Sequence, residues 1–125
     1  MGKQVTVGII GLGVRGRDVY AHCQHIFPER MKITAVADTD PQRVKAVAAE
    51  YGVPDENCFL SADALLEREQ LADILFICTQ DRLHAEEAIP ALRKGYHLLL
   101  EKPIAPLLNE CREIAAVAKE CNRQV

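Results

Sequence analysis

The chain has 125 residues, of which 15 are basic and 18 acidic, for a formal net charge of −3. About half is apolar and a quarter charged, the composition of one globular domain with enough apolar surface for a core, which excludes a disordered chain. No apolar run approaches roughly 18 residues, so no membrane span is expected, and a mildly acidic chain without tryptophan has no footprint of a nucleic-acid binder.

In chain order, Met1-Gly2-Lys3-Gln4 leads straight into a β-like stretch, so no secretory leader is expected. Val5–Ile10 reads as a first strand and ends in Gly11-Leu12-Gly13. The helix that follows carries Val19, Tyr20, Cys23 and Ile26 or Phe27 on one expected inner face, and Pro28 closes it. Lys32–Ala37 is a second strand ending at Asp38. Asp40-Pro41 then starts a helix with an acidic cap and a first-turn proline. Val44, Val47, Ala48 and Tyr51 give that helix an apolar stripe, and Gly52 stops it.

A short third strand fits Cys58-Phe59, and Ser61 caps a brief helix with Leu65 and Leu66. Ile74–Cys78 is a fourth strand whose unbroken apolar run suits burial on both faces, as in a parallel sheet. Asp81 is the expected cap of the next helix, with Ala85, Ala88 or Ile89, and Leu92 inward and Gly95 at its end. Pro90 removes the bond to the Glu86 carbonyl and predicts a kink or break. Tyr96–Leu100 is a fifth strand, and a last helix is expected to turn Leu107, Cys111, Ile114, Ala115, Ala118 and Cys121 to one side. Strand and helix alternate five times, the pattern of a doubly wound parallel α/β sheet with right-handed crossovers. The five cysteines form no CxxC pair. Neither a zinc site nor a disulfide frame is implied, and a reducing, cytoplasmic compartment is expected.

Gly11-Leu12-Gly13-Val14-Arg15-Gly16 is a G-x-G-x-x-G that follows a strand and opens a helix. In that setting Gly11 permits a tight turn, Gly13 lets a pyrophosphate approach the backbone, and Gly16 lets helix and strand pack closely. Asp38 ends the second strand about 20 residues on, where a carboxylate accepts the hydroxyls of an adenosine ribose and repels a 2′-phosphate. NAD is therefore expected over NADP, with a strand-end cap as the plain alternative for Asp38. Arg43, on the next helix, is a candidate for adenine stacking or for a 2′-phosphate, or a solvated arginine. A P-loop is excluded, since no Gly-Lys-Ser/Thr follows, and Ile9-Ile10 before the first glycine argue against a methyltransferase.

Two more polar segments fall at strand ends: Cys78-Thr79-Gln80-Asp81-Arg82-Leu83-His84 and Glu101-Lys102-Pro103. Ligands of open α/β sheets bind outside those ends, so both belong to the glycine loop's crevice. Together, strand-GLGVRG, Ala37-Asp38, Thr79-Gln80-Asp81-x-x-His84 and Glu101-Lys102-Pro103-Ile104-Ala105 resemble the N-terminal half of the glucose–fructose oxidoreductase / inositol dehydrogenase (Gfo/Idh/MocA) family over essentially the whole chain. The resemblance implies a nicotinamide-dependent Rossmann oxidoreductase acting on a sugar, a polyol or a related hydroxyl or keto compound. It implies Lys102 as the catalytic residue beside the nicotinamide, Glu101 at the nicotinamide ribose, a cis peptide before Pro103, and Thr79 and His84 lining the dinucleotide site.

A turn lysine at 102 and a capping or surface histidine at 84 are the plain alternatives. Gln80-Asp81 departs from the family's Thr-Pro-Asn, and Leu107 stands where a threonine commonly caps the last helix. The resemblance also calls for a sixth strand and a C-terminal substrate domain that these 125 residues do not include. Residues 1–125 are then the NAD(P)-binding domain of a longer enzyme, inactive alone and prone to self-association along its exposed edge. A non-enzymatic dinucleotide-binding module and half of an NAD-dependent glycosidase are the alternative functions.

Overall fold

A computed structural model of the chain describes residues 2–125. Five strands form one parallel sheet: β1 (Val5–Ile10), β2 (Met31–Ala37), β3 (Cys58–Phe59), β4 (Ile74–Ile77) and β5 (His97–Leu100), in the order β3-β2-β1-β4-β5. The helices are α1 (wide π-type turns over Val14–Ala21, then one ordinary turn, Cys23–Ile26), α2 (Pro41–Tyr51), α3 (Ala62–Leu66), α4 (His84–Lys94) and α5 (Leu108–Glu120). This is the expected doubly wound Rossmann sheet, and the order reverses between β1 and β4, where such sheets bind ligands.

Alternation along β1 explains the two-sided core. Val7 and Ile9 pack with Val44, Val47 and Tyr51 of α2, while Ile10 joins Leu75, Ile77, Leu92, Tyr96 and Ile114 on the other face. Gly8 keeps that second face close, because a Cβ there would lie 2.9 Å from Leu75 Cδ1. The register aligns Ile10 with both Ala37 and Ile77, and Ile77 with Leu100. The residues that follow, Gly11, Asp38, Cys78 and Glu101, therefore share one edge of the sheet.

The local signals at α2 and α3 are realised as read. Asp40 accepts from the Gln42 N–H, Gly52 ends α2 at φ 72°, and Ser61 accepts from the Ala64 N–H. Beyond α5, the Gln124 carbonyl accepts from Leu98 N–H at 2.9 Å, so the chain end lies along β5.

Four expectations need correction. Val19, Ile26 and Phe27 are exposed rather than inward, because the wide turns of α1 rotate successive side chains differently from a 3.6-residue spiral. Asp81 does not cap α4: it opens a single 3₁₀ turn, Asp81–Leu83, and accepts from its neighbour's N–H at Arg82, while Leu83 precedes the helix with no side-chain cap. Pro90 does not break α4, which runs through it; the ring lies on the exposed side and the flanking turns are held by Ala88, Ala91 and Leu92 in the core. On α5, Leu107 and Ala115 are exposed, and Ile114, Val117 and Ala118 form the buried face. Leu107 has extended backbone and sits just outside the helix, so its side chain does not follow the helical stripe.

Candidate functional site

The carboxyl edge of the sheet opens into a cleft of about 490 Å³ between the ends of β1, β2 and β4. Gly11 and Gly13 line it, with Asp38, Arg43, Thr79 and Glu87. Gly11 takes φ +94°, and a Cβ there would stand 2.7 Å from the Cys78 carbonyl oxygen. At Gly16 a Cβ would stand 1.8 Å from the Gly11 carbonyl oxygen, so only glycine lets α1 approach β1 this closely. Gly13 differs: a Cβ would meet only the Arg43 guanidinium, at 3.9 Å, and otherwise open cleft. Gly13 also caps α1 without a side-chain acceptor. An open backbone approach at a helix N-terminus is what a pyrophosphate requires, so these residues fit a dinucleotide.

Asp38 is 8 % exposed at its side chain. One carboxylate oxygen accepts from Leu12 N–H at 2.7 Å and the other from Asp40 N–H at 2.8 Å. The carboxylate thus ties the glycine loop to the turn before α2. Above it lies Arg43, 52 % exposed, with NH1 3.8 Å from Asp38 and Nε 3.7 Å from Asp40. Leu12 points into the core, whereas Val14 and Arg15 are exposed beside the loop.

Lys102 is exposed and its peptide bond to Pro103 is cis. Glu101, before it, accepts from the Tyr20 hydroxyl of α1 at 2.6 Å. That bond, against a smaller effect of burial, holds the Glu101 carboxyl below its usual range, and it raises the Tyr20 hydroxyl. Below the cleft, burial and then the Glu101 charge push the Cys78 thiol up to about 12.

His84 does not line this cleft. Its side chain is fully buried, with Nδ1 2.9 Å from the Pro103 carbonyl and 3.1 Å from that of Ile104, and Nε2 3.0 Å from the Thr79 carbonyl. One helical turn on, Glu87 is 4 % exposed and accepts from the Thr79 hydroxyl. Burial raises the Glu87 carboxyl above its usual range.

Tyr20 and Glu87 were missed as site residues by sequence reasoning. In the sequence Tyr20 falls on the apolar stripe of α1. Glu87 carried a signal, a carboxylate falling among the inward alanines Ala85, Ala88 and Ala91. Among the described residues no cluster of His, Cys, Asp and Glu is arranged for a metal, and no helix is long and apolar enough to cross a membrane.

Comparison with known proteins bears on the family and the fold. A glycosyl hydrolase family 109 protein of Shewanella woodyi is 32% identical over 127 residues, which cover 95% of this chain and 26% of that protein. The uncharacterized oxidoreductase YrbE of Bacillus subtilis is 33% identical over 122 residues, covering 95% of this chain and 34% of its own length. The chain thus spans about a quarter to a third of these relatives. Among solved structures, the 3-ketoreductase KijD10 of Actinomadura kijaniata, in complex with TDP-benzene and NADP, superposes with a TM-score of 0.83 at 28% identity, over 96% of this chain and 36% of that one. The WlbA dehydrogenase of Bordetella pertussis, in complex with NADH and UDP-GlcNAcA, gives 0.81 at 25% identity, over 98% and 35%. Residues 5–125 match the family profile described as "Oxidoreductase family, NAD-binding Rossmann fold", and the chain belongs to that family, Gfo/Idh/MocA.

Proposed function

We propose that residues 1–125 form the dinucleotide-binding domain of a cytoplasmic oxidoreductase that exchanges hydride between NAD and a sugar, a polyol or a related hydroxyl or keto compound. The observation that carries this reading is the convergence, at one sheet edge, of an open glycine loop, the Asp38 carboxylate and the exposed Lys102. When bound, the dinucleotide supplies the hydride acceptor or donor. The Gly11–Gly16 loop would hold the pyrophosphate, with Val14 and Arg15 beside it, Leu12 fixed from below, and Asp38 and Arg43 at the adenosine end.

Thr79 and Glu101 flank the other end. Lys102, free to reach out from its loop, would hold or move the proton of the reacting hydroxyl at Nζ. The Asp38 charge favours NAD over NADP. The substrate class is supported by the sugar-nucleotide complex of WlbA. Residues that select the substrate would lie in the remaining two thirds or so of the length seen in relatives, so this chain alone turns nothing over. Exposed Leu99, Leu107 and Leu108 support self-association, and five unpaired cysteines support a reducing compartment.

A second reading, NAD-assisted glycoside cleavage, is favoured by the glycosyl hydrolase names of several relatives. Calorimetric titration with NADH and NADPH tests the first step. The expected result is saturable NADH binding that Gly13→Val abolishes; no binding of either dinucleotide overturns the proposal. In the whole protein, turnover of a sugar or polyol with NAD separates oxidoreductase from glycosidase.

A further inference from the structure

Lys102 lies between two anchored residues. On one side Glu101 is held by Tyr20, and on the other the Pro103 and Ile104 carbonyls face His84. His84 and Glu87 are the buried polar side chains among the described residues, and both grip Thr79, one at its carbonyl and the other at its hydroxyl. Every partner of the imidazole is a backbone carbonyl, which only accepts. A neutral ring carries one N–H, so it donates to the Lys102 loop through Nδ1 or to the Thr79 carbonyl through Nε2 according to its tautomer, and in either case it packs between the two segments. It has no exposed surface through which a ligand could touch it.

We propose that His84 is a positioning residue for Lys102: it fastens the Lys102–Pro103 loop to Thr79 beneath the cleft and makes no contact with the dinucleotide. This rests on Lys102 being the proton-handling group, but the fastening itself is a property of the ligand-free chain. His84 sits at the start of α4, whose core alanines pack under the sheet, so the strap hangs from a rigid element. Losing one such buried bond frees the loop without removing the cleft.

The test is backbone 15N relaxation on the ligand-free chain, with three variants. In His84→Ala the order parameters of Lys102, Ile104 and Ala105 should fall from the rigid range of about 0.85 to about 0.6 or below, while those of the glycine loop keep their values. His84→Asn keeps a donor near the position of Nδ1 and should restore rigid values at 104–105. His84→Gln, whose amide reaches toward the Nε2 position, should not. A merely structural role would instead lower the order parameters throughout α4 and the sheet in all three variants, and that pattern overturns the proposal, as do unchanged order parameters in His84→Ala.

Titration then separates the strap from the reading beneath it. ADP-ribose, which lacks the nicotinamide, should bind wild type and His84→Asn within about threefold of each other. A loss of ADP-ribose affinity in His84→Asn would show direct contact with the ligand and sink the proposal. Failure of NADH to bind wild type would sink the dinucleotide reading and leave the relaxation result to decide the strap.

Discussion

The Tyr20 hydroxyl donates to Glu101 at 2.6 Å, joining the helix that follows the glycine loop to the residue beside Lys102, 81 positions along the chain. One side-chain bond thereby ties α1 to the end of β5. The bond is charge-assisted, since Glu101 is held ionised by it. Tyr20→Phe should let the Glu101 carboxyl titrate higher, toward its ordinary value, and cost about 1 kcal/mol of stability in this partly exposed setting. Carbon-13 titration of the Glu101 carboxyl in both proteins checks the first, and urea denaturation the second. An unshifted midpoint would show that Tyr20 does not set the Glu101 charge.

Cofactor preference turns on Asp38 and Arg43 in opposite directions. Asp38 already spends both oxygens on backbone N–H groups, so its charge is fixed in place, whereas exposed Arg43 hovers 3.8 Å away with room to move. Arg43→Ala should weaken NADPH by about tenfold and NADH by less, because Arg43 is the cation that stands 3.8 Å from Asp38, where a 2′-phosphate would fall. Asp38→Asn should improve the NADPH-to-NADH affinity ratio by a similar factor, at some loss of stability from its two amide partners. Parallel titrations give both ratios; equal losses for the two dinucleotides in Arg43→Ala would assign Arg43 to adenine instead.

Much of this was legible in the sequence, and the reasons are local. The register row Gly11, Asp38, Cys78 and Glu101 follows from strands that are apolar runs with abrupt polar ends, and a parallel sheet aligns those ends. The α2 stripe read correctly because α2 is an ordinary helix with a proper cap at each end. The α1 stripe did not, because its spacing assumed 3.6 residues per turn. His84 was the deeper difficulty. A histidine near a helix start reads the same in sequence whether it faces a ligand or backbone carbonyls, here those of Pro103 and Ile104, 19 and 20 residues on, and of Thr79, 5 residues back, and only the fold brings those carbonyls to it.

Acid should weaken the fold through Asp73. Thr6 donates to one of its oxygens from both N–H, at 3.0 Å, and hydroxyl, at 3.1 Å, which clamps the start of β4 to β1. The Thr6 backbone bond, then its hydroxyl against a partial offset from burial, holds the Asp73 carboxyl below its ordinary 3.8. A depressed folded pKa contributes stability above the unfolded value, and that stability is lost as pH falls through the folded one. Wild type should therefore be more stable than Asp73→Asn near neutrality, and the gap should close as pH falls below about 4. Melting temperatures across that range decide it; a gap independent of pH would place the effect in packing rather than charge.

The entry to α5 offers a stabilising change. Leu107 holds the cap position with extended backbone (φ −116°, ψ 140°), is 57 % exposed, and makes no side-chain bond to the first-turn N–H groups. The backbone is thus already set for a capping residue, and the leucine contributes little burial in exchange. Leu107→Asp or Leu107→Ser should satisfy one of those N–H groups and raise stability by about 1 kcal/mol, with Asp gaining a little more from the helix dipole. For a domain of this size that corresponds to a rise of about 4 °C in melting temperature. If Leu107 instead covers a neighbouring surface in solution, the same substitutions should lower self-association by light scattering while leaving the monomer's melting temperature unchanged. The two readouts assign the leucine to a missing cap or to an interface.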